Sequence, residues 1–250
     1  MTPRFRMIAG PNGSGKTTLC ERLAAEYSVN FYSMVNADRM FAEATASRNL
    51  RAPLPVDADA FARHLSASTY PSVVLAPFRD GRIVIEDDCF RFRNARSVTT
   101  YTVSLIANFI QDSLIEVGQS FSQETVFSHP SKIDALRKAK DAGFRTYLYF
   151  VATDSPAINA FRVQSRVRKG GHPVPPDKVV SRYARSLRNV ASALPYLSRA
   201  YFWDNSGADF RFLAEYEEGK GFVLLGSRLP AWFRKNVPTK GRDPTAPRSR

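Results

Sequence analysis

The chain is short of cysteine and histidine, with two Cys (Cys20 and Cys89) and three His in 250 residues. Two cysteines are too few for a disulfide scaffold or a cysteine-rich zinc site, and a reducing cytoplasm is the expected compartment. Neither cysteine has a base beside it in sequence; Cys20 reads as a packing residue on a helix, and Cys89 as either buried or exposed. His64 and His129 stand isolated, with no metal-ligand spacing. His172, between Gly171 and Pro173, reads as a turn histidine. No apolar run reaches the roughly 18 residues of a membrane span, and residues 1–10 turn to glycine before a secretory apolar stretch of roughly 7–15 residues could form. No membrane association is expected. Internal repeats are absent. What the chain does have is apolar content of 44% with 18 Phe, enough to bury a core and to exclude a disordered chain.

Acid is scarce relative to base: 36 Lys+Arg face 23 Asp+Glu, for a formal net charge of +13. The excess is concentrated. Between Arg162 and Arg188 stand eight basic residues (Arg162, Arg166, Arg168, Lys169, Lys178, Arg182, Arg185, Arg188) and one acid, Asp177. A second excess lies past Pro238, where Lys240, Arg242, Arg248 and Arg250 outnumber Asp243. A focused cluster points to a local phosphate site, whereas a uniformly basic face would point to nucleic acid.

Periodicity predicts a strand over 5–9, a helix from near Lys16, a strand over 29–35 and a helix over 39–46. Prolines interrupt the stretch 50–98, which reads as an insertion containing a helix and a hairpin. Within it, 73–78 and 82–87 flank Arg79-Asp80-Gly81, a hairpin signal. A helix over 101–117 ends at Gly118. A strand over 120–127, a helix capped by Ser131, a strand over 144–151, a helix opened by Asp154-Ser155-Pro156, a further helix over 177–190 and a strand over 199–203 follow. Segments 210–215 and 222–225 form a terminal hairpin, and residues 237–250 read as a basic disordered tail after a domain spanning 1–236. Alternating strands and helices give an α/β fold with a mostly parallel sheet, and ligands in such sheets bind beyond the carboxyl ends of the strands.

Four motifs fall at those ends. Gly10-Pro11-Asn12-Gly13-Ser14-Gly15-Lys16-Thr17-Thr18 is a complete phosphate-binding loop between a strand and a helix. Its glycines let backbone N–H groups wrap phosphate oxygens, Lys16 reaches the β- and γ-phosphates, and the Thr17 hydroxyl is placed to ligate Mg²⁺. Asp38, after the second strand, has three readings: a general base, a holder of Mg²⁺-bound water, or the cap of the following helix. Glu124, in a strand otherwise apolar and hydroxyl-bearing, either accepts hydrogen bonds from substrate hydroxyls or pairs with an arginine. Arg162 and Arg166 share a helix face. They either neutralise charge on a transferring phosphoryl group or form a solvated basic face, though such faces normally interleave acids. The fourth motif is Asp204-Asn205-Ser206.

Taken together these residues resemble the zeta toxin kinases. The resemblance is carried by the loop 10–18, then Asn36-Ala37-Asp38-Arg39, Gln123-Glu124-Thr125, the run from Arg162 and Arg166 into Gly170-Gly171-His172 with Val174-Pro175, then Arg182-Tyr183 and Asp204-Asn205-Ser206. It implies a P-loop kinase-like three-layer sandwich that transfers the γ-phosphate of ATP, sometimes GTP, to a hydroxyl, with Mg²⁺ as cofactor. Toxin members phosphorylate the nucleotide-sugar UDP-N-acetylglucosamine, and an antitoxin protein is a conceivable partner. By carry-over Asp38 is the catalytic base, Lys16 and Thr17 hold nucleotide and metal, Glu124 and Thr125 line the acceptor site, and Arg162 and Arg166 stabilise the phosphoryl group with Arg182 as helper. The insertion 50–98, near the acceptor site, and residues 207–250 fall outside the resemblance. Two competing readings are a polynucleotide end kinase, disfavoured because no aromatic–basic platform stands outside the core, and a nucleotide-binding interaction module with little catalysis.

Overall fold

The computed structural model describes residues 1–170, 174–226 and 228–239. The chain divides into two compact units, Met1–Tyr32 with Ser122–Arg250, and Ser33–Phe121. The expected turn at His172 and most of the expected tail lie outside the described residues.

The first unit opens with β1 (Arg4–Ala9), the phosphate-type loop and α1 (Lys16–Tyr27). Asn30 Oδ1 then accepts the Tyr32 N–H at 2.8 Å, and Tyr32 takes φ 53°. That Asx-type turn keeps the chain out of extended geometry until Ser33, so the strand expected over 29–35 is only three residues long. It is β2 (Ser33–Val35), and it begins the second unit, followed by α2 (Ala37–Ser47), β3 (Asn49–Arg51), α3 (Ala58–Ser66), α4 (Ser72–Arg79), β4 (Ile83–Glu86), β5 (Cys89–Phe92) and α5 (Thr100–Glu116).

The hairpin of the second unit is not where the Asp-Gly signal put it. Residues 73–78 are helical. Val74, Leu75 and Pro77 are buried, and the Asp80 N–H bonds Ala76 O at 3.0 Å while Gly81 takes φ 72°. Asp80-Gly81 therefore stops a helix, the other common use of a left-handed glycine. The turn lies instead at Asp87 and Asp88, with φ 51° and 60°, the double positive φ of a type I′ hairpin. It joins β4 to β5, and β3 completes an antiparallel sheet in the order β3-β5-β4. Against it sits a ring cluster: Phe61 meets Phe78, Phe90 and Phe109 edge-on at centroid distances of 5.4, 5.1 and 4.9 Å. The length of α5 follows from its ends, a Thr99/Thr102 capping box at the start and left-handed Gly118 (φ 68°) after it. Of the stripe Val103, Ile106, Ile110, Leu114 and Val117 that the spacing predicts, the first four are buried; Val117, at the C-cap, is exposed, and Leu105 and Phe109 are buried as well.

The first unit resumes with β6 (Phe121–Thr125), α6 (Ser131–Asp141), β7 (Arg145–Ala152), α7 (Pro156–Arg168), α8 (Pro176–Ala193), β8 (Arg199–Asp204), β9 (Arg211–Glu217), β10 (Gly221–Leu224) and α9 (Ala231–Asn236). Ser131 does not cap α6; that helix has no side-chain cap, and the Ser131 hydroxyl meets His129 Nδ1 at 2.9 Å. Within this unit the sheet order is β10-β9-β8-β7-β1-β6. β1, β7 and β8 run parallel, and β9 and β10 form the expected antiparallel hairpin. The mixed α/β architecture with a mostly parallel sheet is the one the sequence predicted. Register stacks Ala9, Phe150 and Phe202 on one face and Ile8, Tyr149 and Tyr201 on the other. The first face is covered by α9, which the sequence did not reveal: Trp232 lies 5.9 Å from Phe150 and Phe233 lies 5.5 Å from Phe202. Val237, expected to start the tail, is buried with them. Among the described residues no helix is long and apolar enough to cross a membrane.

Candidate functional site

The loop 10–15 leaves β1 at its carboxyl end and delivers Lys16 as the first residue of α1. Gly13 (φ 75°) and Gly15 (φ 94°) take conformations that an L side chain rarely adopts. A Cβ on Gly13 would come 2.6 Å from Asn159 O, and one on Gly15 would come 2.4 Å from Asn205 Nδ2. Both the backbone angle and the close neighbours demand glycine. Ser14 N closes a turn on Pro11 O at 3.2 Å. Lys16 is buried, and its Nζ donates to Gly10 O at 2.9 Å and Pro11 O at 3.1 Å, so the ammonium is held inside the loop. Asn12 Oδ1 and Ser14 Oγ are buried and find no hydrogen-bond partner among the described residues. Such orphans are costly, and a polar guest in the loop would relieve them.

Thr17, the second residue of α1, is exposed, and its Oγ1 lies 3.2 and 3.3 Å from the two carboxylate oxygens of Glu124 on β6. Two hard oxygen donors therefore meet at the mouth of the loop. This set fits Mg²⁺, which keeps several waters and takes one or two carboxylates beside phosphate oxygens. No cluster of three or more His, Cys, Asp or Glu fit for a metal exists among the described residues. Thr125 is half-buried, and its Oγ1 accepts the Phe127 N–H at 3.1 Å. Thr18 is exposed on the first turn of α1.

Behind the loop stands a polar brace. Asn159 on α7 donates from Nδ2 to Asn12 O at 2.5 Å, and the Thr153 hydroxyl donates to Asn159 Oδ1. Asn205, just past β8, donates from Nδ2 to Ser14 O at 2.9 Å. Arg162 is anchored here as well, with Nη1 on Asn205 O at 2.8 Å and Nη2 on Gly207 O at 3.3 Å. Asp204 is buried, taking Trp232 Nε1–H at 2.9 Å and the Ser206 hydroxyl at 2.8 Å, with Arg211 Nη2 3.6 Å away. The Tyr183 hydroxyl donates to Thr153 O at 2.6 Å. Burial, and after it the charges of Asp154 and Asp204, push its phenol up to about 12.

The structure thus joins the loop, Glu124, Arg162 and Asp204-Asn205-Ser206 by direct bonds. Arg166 lies exposed in the last turn of α7, and Arg182 is half-buried on α8. Asp38 lies in the second unit, in the first turn of α2. It is not the cap of that helix. Asn36 is, its Oδ1 accepting the N–H groups of Asp38 (3.0 Å) and Arg39 (3.1 Å), while the Asp38 carboxylate is exposed. Asn159 carried no signal in the sequence beyond its place on the helix opened by Ser155-Pro156, and Trp232 lay in a segment where no helix was expected.

A family model for the zeta toxins matches residues 87–198. A protein of Haemophilus influenzae, itself uncharacterised, is 35% identical over 63 residues, covering 25% of this chain and 45% of that protein. Among solved structures, a chain of the AvrRxo1-ORF1:AvrRxo1-ORF2 complex with ATP aligns with a TM-score of 0.58 at 16% identity, over 96% of this chain and 65% of that one. A chain from the PezAT chromosomal toxin–antitoxin system of Streptococcus pneumoniae aligns with a TM-score of 0.50 at 14% identity, over 92% and 75%. This chain therefore spans under half of the curated relative and just under two thirds of the AvrRxo1 chain. The resemblance to zeta toxins read from the motifs is borne out.

Proposed function

From that zeta-toxin likeness we propose that the chain is a kinase that transfers the γ-phosphoryl group of ATP to a hydroxyl of a small molecule, with a nucleotide-sugar such as UDP-N-acetylglucosamine as acceptor. The observation that carries this reading is the convergence of Lys16, Thr17 and Glu124 on one braced phosphate loop. Loop N–H groups and Lys16 bind the β- and γ-phosphates, and Lys16 exchanges its bonds to Gly10 O and Pro11 O for phosphate oxygens. Thr17 and Glu124 would hold Mg²⁺, which supplies charge neutralisation between the phosphates. The Thr17 contact supports a metal-side role for Glu124 over acceptor binding. Thr125 retains its hydroxyl proton, since that oxygen acts as acceptor toward Phe127, and can donate it to the acceptor molecule.

Asp38 removes the proton from the acceptor hydroxyl as its oxygen bonds to the γ-phosphorus; the bond from that phosphorus to the β–γ bridging oxygen breaks, and ADP leaves. This role is supported by the division of labour in α2, where Asn36 does the capping and leaves the Asp38 carboxylate for chemistry. Arg166, with Arg182 as helper, offers guanidinium to the transferring group. Arg162 acts on the same group only if it leaves its two carbonyls.

The test is incubation with labelled ATP and UDP-N-acetylglucosamine, then with a metabolite extract, read by mass spectrometry. A phosphorylated small molecule is expected. Asp38→Asn should retain ATP binding and lose transfer by at least ~10²-fold, the usual cost of a lost general base. Near-normal transfer by that variant would reject the base assignment, and ATP consumption stimulated by no acceptor would reject the kinase.

A further inference from the structure

We infer that Asn159 and Asn205 are positioning residues that aim the loop's N–H groups at the phosphates, an inference that rests on the loop being a nucleotide site. Across a trans peptide the C=O of one residue and the N–H of the next point in opposite directions. Asn12 O is tied outward by Asn159 Nδ2 and Ser14 O by Asn205 Nδ2. The N–H groups of Gly13 and Gly15 are thereby turned the other way, away from the brace. N–H groups aimed alike offer an anion the kind of donors a nest does; the Ser14 N–H between them is bonded to Pro11 O at 3.2 Å.

The brace is built to hold one orientation. Asn159 is fully buried, and the Thr153 hydroxyl on its Oδ1 leaves only its NH₂ end for Asn12. Asn205 is fixed at three points: its N–H bonds Ala152 O at 2.8 Å, its carbonyl takes Arg162, and its side chain takes Ser14 O. The two bonds close contacts across 147 and 191 residues of sequence. Without the amide donor, the Ser14 carbonyl has no outward partner and can rotate toward the anion, replacing an attractive dipole with a repulsive one. A brace serving stability alone would accept any pair of carbonyls. This one takes those of alternate residues, 12 and 14, which is the pattern that aims the N–H groups that follow them, of Gly13 and Gly15, together.

The probe is inorganic tripolyphosphate, which reads the loop without nucleobase or acceptor. It is titrated into the full chain by calorimetry, with the Gly13 and Gly15 amide resonances followed in parallel. Asn205→Asp and Asn159→Asp keep shape but replace the donor by an acceptor and add a negative charge; Asn205→Ala and Asn159→Ala remove the donor without that charge and should weaken binding in the same direction. Each should weaken tripolyphosphate about 10–100-fold, the range for hydrogen bonds to a charged group, and should shift the two glycine amides before any ligand is added. Asn189→Asp is the matched control. Its Nδ2 makes the same kind of bond, to Phe127 O at 2.9 Å, away from the loop. It should lower stability and leave tripolyphosphate affinity unchanged. Wild-type affinity in the loop variants, or an equal loss in Asn189→Asp, overturns the inference and leaves the kinase reading standing. A wild-type chain that binds neither ATP nor tripolyphosphate overturns both.

Discussion

Around Gly13 and Gly15 the chain is shaped by polar bonds to named donors, Lys16, Asn159 and Asn205. Around Phe61 it is shaped by rings meeting edge-on, with Phe78, Phe90 and Phe109 inside 5.4 Å. A polar bond specifies direction, so each partner in the first region is close to irreplaceable. Ring packing specifies volume, and many apolar sets could fill the second. The first region should therefore fail in binding and chemistry while remaining folded, and the second should fail in stability while leaving phosphate affinity alone.

The largest effect expected is on chemistry. Lys16→Ala removes the ammonium held inside the loop, and nucleotide turnover should fall by at least ~10²-fold, the scale of losing one preorganised charge donor. The thermal midpoint should move little. A variant that unfolds instead would show that Lys16 holds the loop together, and the contrast with the Phe61 region would collapse.

Phe61→Ala is the reciprocal test. Removing a buried ring at the centre of three others should cost about 3–5 kcal/mol, read from urea midpoints. Tripolyphosphate affinity measured well below the transition should stay at the wild-type value. A drop in affinity matching that of Asn205→Asp would mean the two regions are not separable in this way.

Tyr183 sharpens the comparison on the first region's side, because its phenol is both buried and part of the polar network. Its value in the folded chain is pushed up to about 12, against about 10 in an unfolded chain. The raised value means the folded state holds the proton more tightly. That stability is fully present below pH 10 and is lost as pH rises from 10 through 12. The loss is on the order of 2 kcal/mol. Tyr149, also pushed to about 12 chiefly by burial, adds a like share. Tyr70 and Tyr216 are raised by burial as well, so Tyr183→Phe should flatten the alkaline arm in part, at a neutral-pH cost of ~1 kcal/mol for the bond to Thr153 O. Equal alkaline loss in wild type and variant, by denaturation at pH 9 and pH 11, would remove Tyr183 from this role.

The two regions also differed in how much of them could be read from sequence. The loop was legible residue by residue because its glycines, Lys16 and Thr17 are contiguous and each residue type answers a local demand. Its brace was legible in half: Asn205 sits in a recognisable motif, but Asn159 is one amide on an ordinary helix, and only the fold brings it to Asn12. The helix α9 was missed for the same reason, since Trp232 and Phe233 are buried by strands that lie far away in sequence. In the second unit the failure was different in kind. Val73 and Val74 next to Asp80-Gly81 carry a real strand-and-turn signal, and burial of Val74, Leu75 and Pro77 on one side of a helix outweighed it. Propensity is weak where tertiary packing decides.

The true turn, Asp87-Asp88, offers the smallest and most local test. Both residues have positive φ, 51° and 60°, which aspartate tolerates better than most and β-branched residues tolerate poorly. Asp88 also accepts the Val56 N–H at 2.9 Å, so Asp87, exposed and in a 3.6 Å surface pairing with Arg91, is the cleaner site. Asp87→Gly should leave stability unchanged or raise it by up to ~1 kcal/mol, because glycine enters this region without strain. Asp87→Val should lower it by about 1–2 kcal/mol. Loss of the ion pair is common to both, so the difference between them reads the backbone alone. If glycine and valine were equally tolerated, the positive φ would not be a constraint in solution. The hairpin would then be held by its strands, and a turn residue would not define it.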